Sequence, residues 1–316
     1  MRWLVPIAAA VTVMSTFGGA AAASAQTVVS FDPALGEFPE GVAFGRDRAM
    51  YVALAPLGEV RRFDDGGTTT FFAVDPGTTG LGILGLARDK VGMLYAAVPS
   101  DAPGAHGVWA IAPDGDAMRL PGSEQIVFPN AIALGHDGTL YVTDSILGAI
   151  WRINAEGTQL WLQHESLEGL AVLNPFPLGA NGIAYAHGRL LVANTEKKQV
   201  VEIPIEHSGA PGTPSVVHAF DGPADFLDGI AVDVAGNLYV CVAGRHELVR
   251  VDRSGEKETV ATAADGLSVP ASLAFGPSGA AKRSLYVTNL SLPGLVPMPV
   301  PSVVVVDVPL PGPPTR

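Results

Sequence analysis

The sequence predicts an all-β fold: a six-bladed β-propeller of four-stranded blades, closed by the N-terminal strand joining the last blade. Three observations predict it. The first is a recurring pattern, clearest in Asn181-Gly-Ile-Ala-Tyr-Ala-His-Gly-Arg-Leu-Leu-Val-Ala-Asn194. A polar residue and a Gly lead into a short apolar strand, and a turn leads to a second apolar strand ending on a polar residue. Further copies open at Glu40, Asn130 and Asp228, with weaker ones at Leu84 and Ala271, so successive openings lie 44, 46, 51, 47 and 43 residues apart. A period in the forties with several short strands per repeat belongs to propellers rather than helical solenoids. The second observation is composition: 37 Gly and 26 Pro punctuate many turns, and only 16% of residues are charged. The third is that no stretch sustains an apolar period of about 3.6 residues between caps, so almost no helix is expected.

The chain opens on a pattern expected to be a secretory leader. Arg2 supplies the positive start, Leu4 to Met14 an apolar run, and Ala23-Ser24-Ala25 a small-residue cleavage site before Gln26. The apolar run is short and broken by Pro6 and Thr12, which argues against a membrane anchor. No Cys lies near the cleavage site, which argues against a lipoprotein anchor. We expect 1–25 to be a signal peptide, 26–316 to be one propeller domain, and the protein to be exported, periplasmic or secreted.

Thr27 to Phe31 then reads as a strand without a blade. Blade one takes 41–44, 50–54, 59–63 and 68–74, with Asp64-Asp-Gly-Gly67 as a hairpin turn. Blades two to five repeat the plan. Their third strands fall at 108–111, 150–153, 200–204 and 248–251, with Ala112-Pro-Asp-Gly115 and Asn154-Ala-Glu-Gly157 as turns. Blade six has 272–275, 284–290 and 302–308 but no fourth strand. Thr27–Phe31 is expected to supply it and remove the open edges. Gly/Pro-rich inserts at 100–107, 173–180, 206–214 and 292–301 are loops, some of them expected to shape a mouth.

Charge and cysteine narrow the functions. The net charge is -12, becoming -13 without Arg2, which disfavours nucleic acid and anionic membranes as partners. The single Cys241, inside a strand, cannot form an internal disulfide and reads as a small buried apolar group.

Inner strands of a propeller line the central channel, so the residues that open them converge at one face. Here these lead residues are Glu40, Leu84, Asn130, Asn181, Asp228 and Ala271. Four carry side-chain oxygen, two of them carboxylates, a set suited to a hard divalent cation. Ca²⁺ fits before Zn²⁺ or Mn²⁺, because no His or Cys leads a blade. The competing reading is turn chemistry, since Asn or Asp before Gly is an ordinary strand-opening pair. Glu40 has no such advantage.

The pattern resembles the family of SMP-30 (regucalcin), gluconolactonases and related bacterial lactonases. The resemblance spans nearly all of 26–316 and rests most on Pro39-Glu40-Gly41, Asn181-Gly-Ile-Ala and Asp228-Gly-Ile-Ala-Val-Asp-x-x-Gly-Asn-Leu-Tyr-Val. It implies that Glu40, Asn181 and Asp228 bind a divalent cation and that Asn130 contacts water or substrate at the same site. It also implies lactone hydrolysis, with Asp228 as general base as well as ligand. One position departs: sugar-lactone members place Arg two residues before the Asn matched by Asn130, and Phe128 stands there. With Pro129 and Phe176, this favours a less polar lactone or ester.

Other residues expected at the mouth are His106, Asp144, Asn194, Glu196, Arg245, His246 and Asn289, each also readable as a solvated loop residue. Phe128, Arg245 and His246 are the expected substrate contacts beside Asn130. Gly-x-Ser-x-Gly, P-loop, dinucleotide-Gly and His-Glu-x-x-His motifs are absent. The function expected is therefore that of an exported, monomeric, metal-dependent hydrolase of a lactone or related ester. The alternatives are a non-catalytic propeller that binds a small molecule or protein, or a strictosidine synthase-like propeller using a pocket Glu such as Glu196 or Glu40.

Overall fold

The computed structural model describes residues 25–313 apart from 46 and 174. The leader expected at 1–25 lies outside the described residues except for Ala25. Six four-stranded antiparallel sheets form the ring. Blade one holds β2 (Pro39–Phe44), β3 (Met50–Leu54), β4 (Glu59–Asp64) and β5 (Gly67–Ala73). Blade two holds β6 (Leu86–Arg88), β7 (Leu94–Val98), β8 (Gly107–Ile111) and β9 (Ala117–Arg119). Blade three holds β10 (Pro129–Leu134), β11 (Leu140–Asp144), β12 (Ala149–Asn154) and β13 (Gly157–Gln163). Blade four holds β14 (Ala180–Ala186), β15 (Arg189–Asn194), β16 (Gln199–Pro204) and β17 (Ser215–Ala219). Blade five holds β18 (Leu227–Val232), β19 (Leu238–Val242), β20 (Glu247–Val251) and β21 (Lys257–Ala261). Blade six holds β22 (Pro270–Phe275), β23 (Ser284–Asn289) and β24 (Ser302–Asp307), and its fourth strand is β1 (Ala25–Ser30). Among the described residues the only helical pieces are short 3₁₀ turns.

The clasp forms as expected, two residues earlier than the sequence suggested. β1 pairs antiparallel with β24, from Ala25 opposite Val306 to Ser30 opposite Ser302, and the Phe31 N–H donates to the Pro301 carbonyl at 3.0 Å. The Val-rich β24 needs this partner, because Val303, Val304 and Val306 are wholly buried and its backbone would otherwise be an open edge. Burial is concentrated between neighbouring sheets, where side chains of adjacent blades share apolar clusters.

The inner strands β2, β6, β10, β14, β18 and β22 contact one another around the axis. The glycine after the lead residue makes this possible. A Cβ on Gly182 would lie 2.3 Å from the Asp228 carbonyl oxygen, and one on Gly229 would lie 2.6 Å from that of Ala271. Gly41 and Gly85 stand in the same relation to Leu84 and Asn130, each at 2.4 Å. The recurrent Gly is thus a spacing requirement for backbones in contact.

The pairing slips at the same place. In β2 the register shifts between Pro39 and Val42, and the shift recurs between Pro129 and Ile132, Ala180 and Ile183, and Leu227 and Ile230. Each lead residue and its successor therefore oppose a single residue of the second strand: Ala53, Thr143, Ala193 or Cys241. Such a bulge bends the strand and re-aims a side chain. Opposite it there is room only for a small group, which accounts for the buried Cys241.

A cavity of about 280 Å³ lies at the other end of the axis, lined by the later residues of all six inner strands and by Pro313. It contains none of the lead residues. The connectivity puts three of the four long inserts on the lead-residue face, whereas 206–214 joins β16 to β17 and so lies on the opposite one.

Candidate functional site

The bulges bring Glu40 and Asp228 together from blades one and five. Glu40 is buried and Asp228 is partly buried. Burial raises the Glu40 pKa well above the usual carboxylate value, and the charge of Asp228 raises it further. Burial also pushes Asp228 up to about 7, against the opposing effect of a hydrogen bond with Asn181. Two buried carboxylates held this close cannot both ionise cheaply unless a positive charge stands with them.

The two amides complete the set. Asn130 Nδ2 donates to Ser145 Oγ at 3.0 Å, and Asn181 Nδ2 donates to Thr195 Oγ1 at 3.0 Å. Asn130 thus keeps its Oδ1 free of the protein, while Asn181 also meets the Asp228 carboxylate. Asn130 Oδ1 and Glu40 Oε2 are buried and lack any hydrogen-bond partner. Unsatisfied buried acceptors are uncommon, and here both belong to lead residues. Among the described residues no group of three or more His, Cys, Asp or Glu side chains is placed to hold a metal. The donor set is two carboxylates and two amides, all oxygen, which fits a hard cation such as Ca²⁺ better than Zn²⁺.

Ser145 and Thr195 were not singled out from the sequence. They share one signal, a hydroxyl directly after the polar residue that ends the second strand of blades three and four. Ser145 also donates to the Ala180 carbonyl at 2.6 Å, so one side chain ties Asn130 to the strand that carries Asn181.

The polar residues expected around the mouth make contacts within the protein. Asp144 is wholly buried and accepts from the Val127, Phe128 and Leu147 N–H groups and from Trp151 Nε1. Asn194 and Asn289, at the same register, hold the loops of their own blades through Glu168 and Gly266 carbonyls. His106 Nε2 contacts the Ile126 carbonyl at 2.6 Å. Arg245 spans Asp225, at 3.1 Å, and Glu247, while His246 Nδ1 accepts the Val269 N–H at 2.9 Å.

Glu196 is the largest departure from expectation. It accepts from the N–H groups of Leu170, Ala171, Val172, Leu173 and Leu178 and is only 2% exposed. Burial works to raise its pKa, but these donors outweigh burial and hold the carboxyl below its usual value. It is the anchor of the loop before β14, which leaves it no capacity to serve as a pocket acid. Phe176 on that loop meets Phe128, with ring centroids 6.1 Å apart.

Comparison with known proteins gives the same architecture. The model of the SMP-30/Gluconolactonase/LRE-like region matches residues 177–291, that is, blades four and five and the first two strands of blade six. No curated protein matches the sequence. Among solved structures, the chain is similar to a gluconolactonase from Xanthomonas campestris, at 16% identity over 91% of this chain and 90% of that one, with a TM-score of 0.66. It is also similar to regucalcin, a calcium-binding protein from Agrobacterium tumefaciens, at 15% identity over 89% and 94%, TM-score 0.63. Virginiamycin B lyase from Staphylococcus aureus is similar at 15% identity over 90% and 99%, TM-score 0.58. At such identities the likeness is one of fold, and the fold hosts both hydrolase and lyase chemistry. Over residues 177–291, within a ring of six four-stranded blades, the chain is similar to the SMP-30/gluconolactonase/LRE-like family.

Proposed function

We propose that the protein is a divalent-cation-dependent hydrolase of a lactone or related ester, exported and acting as a monomer. The observation that carries this reading is the pair of buried, unpartnered acceptors, Glu40 Oε2 and Asn130 Oδ1, beside the Asp228 carboxylate. Glu40, Asn181 and Asp228 are the ligands in this proposal, and Ca²⁺ is the favoured ion. A cation held there would polarise the substrate carbonyl and stabilise the oxyanion formed on attack by water. Asp228, kept ionised beside the cation, takes the proton from the attacking water. Asn130 orients the water, accepting its O–H through Oδ1, because Ser145 fixes the orientation of the amide. Ring opening then yields the hydroxy acid, the proton passing to the leaving alkoxide.

The test is to strip the protein with chelator, restore Ca²⁺, Zn²⁺ or Mn²⁺ singly, and assay a lactone panel beside Asp228→Ala. Cation-dependent ring opening that Asp228→Ala abolishes supports the reading. Absence of any stabilising cation and of any turnover overturns it. Saturable binding of a lactone without turnover would favour the second reading, a non-catalytic small-molecule binder, for which the substitution of Phe128 near Asn130 speaks. Export rests on the leader pattern of 1–25 and is tested by locating the processed chain and sequencing its N-terminus.

A further inference from the structure

The rim above the lead residues has a composition that the axial oxygens do not explain. Val127 is 50% exposed, and Leu170, Val172 and Leu173 are 54%, 63% and 42% exposed. Three of these lie on the loop anchored by Glu196, whose residues from 169 to 179 include no charged side chain. Their exposure is imposed by the backbone. Successive N–H groups of Leu170, Ala171, Val172 and Leu173 turn inward to one carboxylate, so their side chains must splay away from it.

The aromatic pair connects this loop to the site. Phe128 stands two residues before Asn130, with its N–H on Asp144 at 3.0 Å and its carbonyl accepting from Ser145 at 3.2 Å. Ser145 is the residue that holds the Asn130 amide, and the Gly179 N–H on the loop donates to the Ser145 carbonyl at 2.8 Å. Phe128, Asn130 and the Gly179 end of the loop are thus tied together through Asp144 and Ser145. Both rings are only half-buried, in a surface whose backbone is already ordered. An apolar surface fixed in advance, continuous with a polar centre, costs little ordering when a ligand covers it.

We infer that this rim receives an apolar substituent of the substrate, so that the preferred substrates are alkyl- or aryl-substituted lactones or esters rather than polyhydroxylated sugar lactones. The inference rests on the hydrolase reading and names the substrate class of that site. Phe128 and Phe176 would flank the substituent while Asn130 meets the polar ring. Each methylene buried there should raise kcat/KM by up to about fourfold.

The test uses the cation-loaded protein with γ-lactones of lengthening 5-alkyl chain, beside glucono-δ-lactone. The expected result is kcat/KM rising with chain length, with a slope that Phe176→Ala flattens. Equal or better hydrolysis of glucono-δ-lactone, or no dependence on chain length, overturns the inference and leaves the hydrolase reading standing. If no lactone is opened at all, the hydrolase reading fails, and calorimetry with 2-alkylcyclopentanones on the metal-free protein still decides the rim. Binding that tightens with chain length and weakens in Phe176→Ala supports an apolar site, and no binding at any length removes it.

Discussion

Glu40 and Asp228 lie in strand bulges of blades one and five, and the charge of Asp228 raises the pKa of Glu40. The pairing is unfavourable in the metal-free protein. Asp228 goes from 3.8, its value in an unfolded chain, to about 7 in the fold. A carboxylate raised in this way imposes no penalty below the unfolded value and its full penalty above the folded one. The metal-free protein should therefore lose stability as pH rises from about 4 to 7. Asp228→Asn should make that slope shallower, Glu40 keeping the part its own burial imposes, and should melt higher than wild type at pH 8, as thermal unfolding with chelator would read. An equal pH slope in the variant would contradict this account.

A cation should reverse the effect. Its binding displaces the proton shared by the pair, so affinity for Ca²⁺ should be weaker at pH 6 than at pH 8. Calorimetry in two buffers of different ionisation enthalpy would show proton release. Glu40→Gln should weaken binding by at least about tenfold, the lower range for losing one partner of a charged contact. Unchanged affinity in that variant would remove Glu40 from the ligand set.

The loop before β14 should depend on Glu196. Its pKa is held below the unfolded value of 4.5, so the stability it supplies is complete above 4.5 and is lost as pH falls through its folded value. Limited proteolysis with an acid protease should open 169–179 before the rest of the ring. Glu196→Ala leaves five N–H groups without their acceptor and should cost at least about 2 kcal/mol. A variant as resistant and as stable as wild type would mean the loop is held by something else.

Gly182→Ala forces a Cβ against the Asp228 carbonyl oxygen and the Gly229 Cα, both backbone atoms. The expected loss is about 1–3 kcal/mol, with weaker cation binding because Asp228 is displaced. Gly66→Ala, which meets only the Asp64 side chain at 3.1 Å, is the control and should melt near wild type.

Deleting 25–31 should uncover the β24 edge, with Val303 and Val304 behind it. Size-exclusion chromatography should show association of the shortened chain, and its melting temperature should fall.

The ring was legible because it is periodic. Six openings at near-equal spacing give the blades, and a final blade one strand short gives the clasp. The approach of Glu40 and Asn181 to Asp228 followed from register alone. The bulges did not, because Asn181-Gly182 reads the same whether it opposes one residue or two. Ser145 and Thr195 escaped notice because they follow the strands and look like loop. Glu196 was misjudged for a related reason: its five donors lie 18 to 26 residues away, in a segment with no period to place it. Residues whose partners come from aperiodic loops are the ones a sequence pattern cannot assign.

The clasp also sets an order of events. Each blade but the last is made of strands adjacent in sequence, so its hairpins close over short loops and can form as the chain becomes available. Blade six alone joins the first described strand to the last, the most distant pairing in the molecule. Such a contact has the largest loop-closure entropy to overcome and forms late. Until it does, five blades stand as an open arc, with the convergence of Glu40 on Asp228 not yet fixed. The metal centre proposed here would then be among the last features to mature, and a cation that favours it would act on the closing step rather than on the blades.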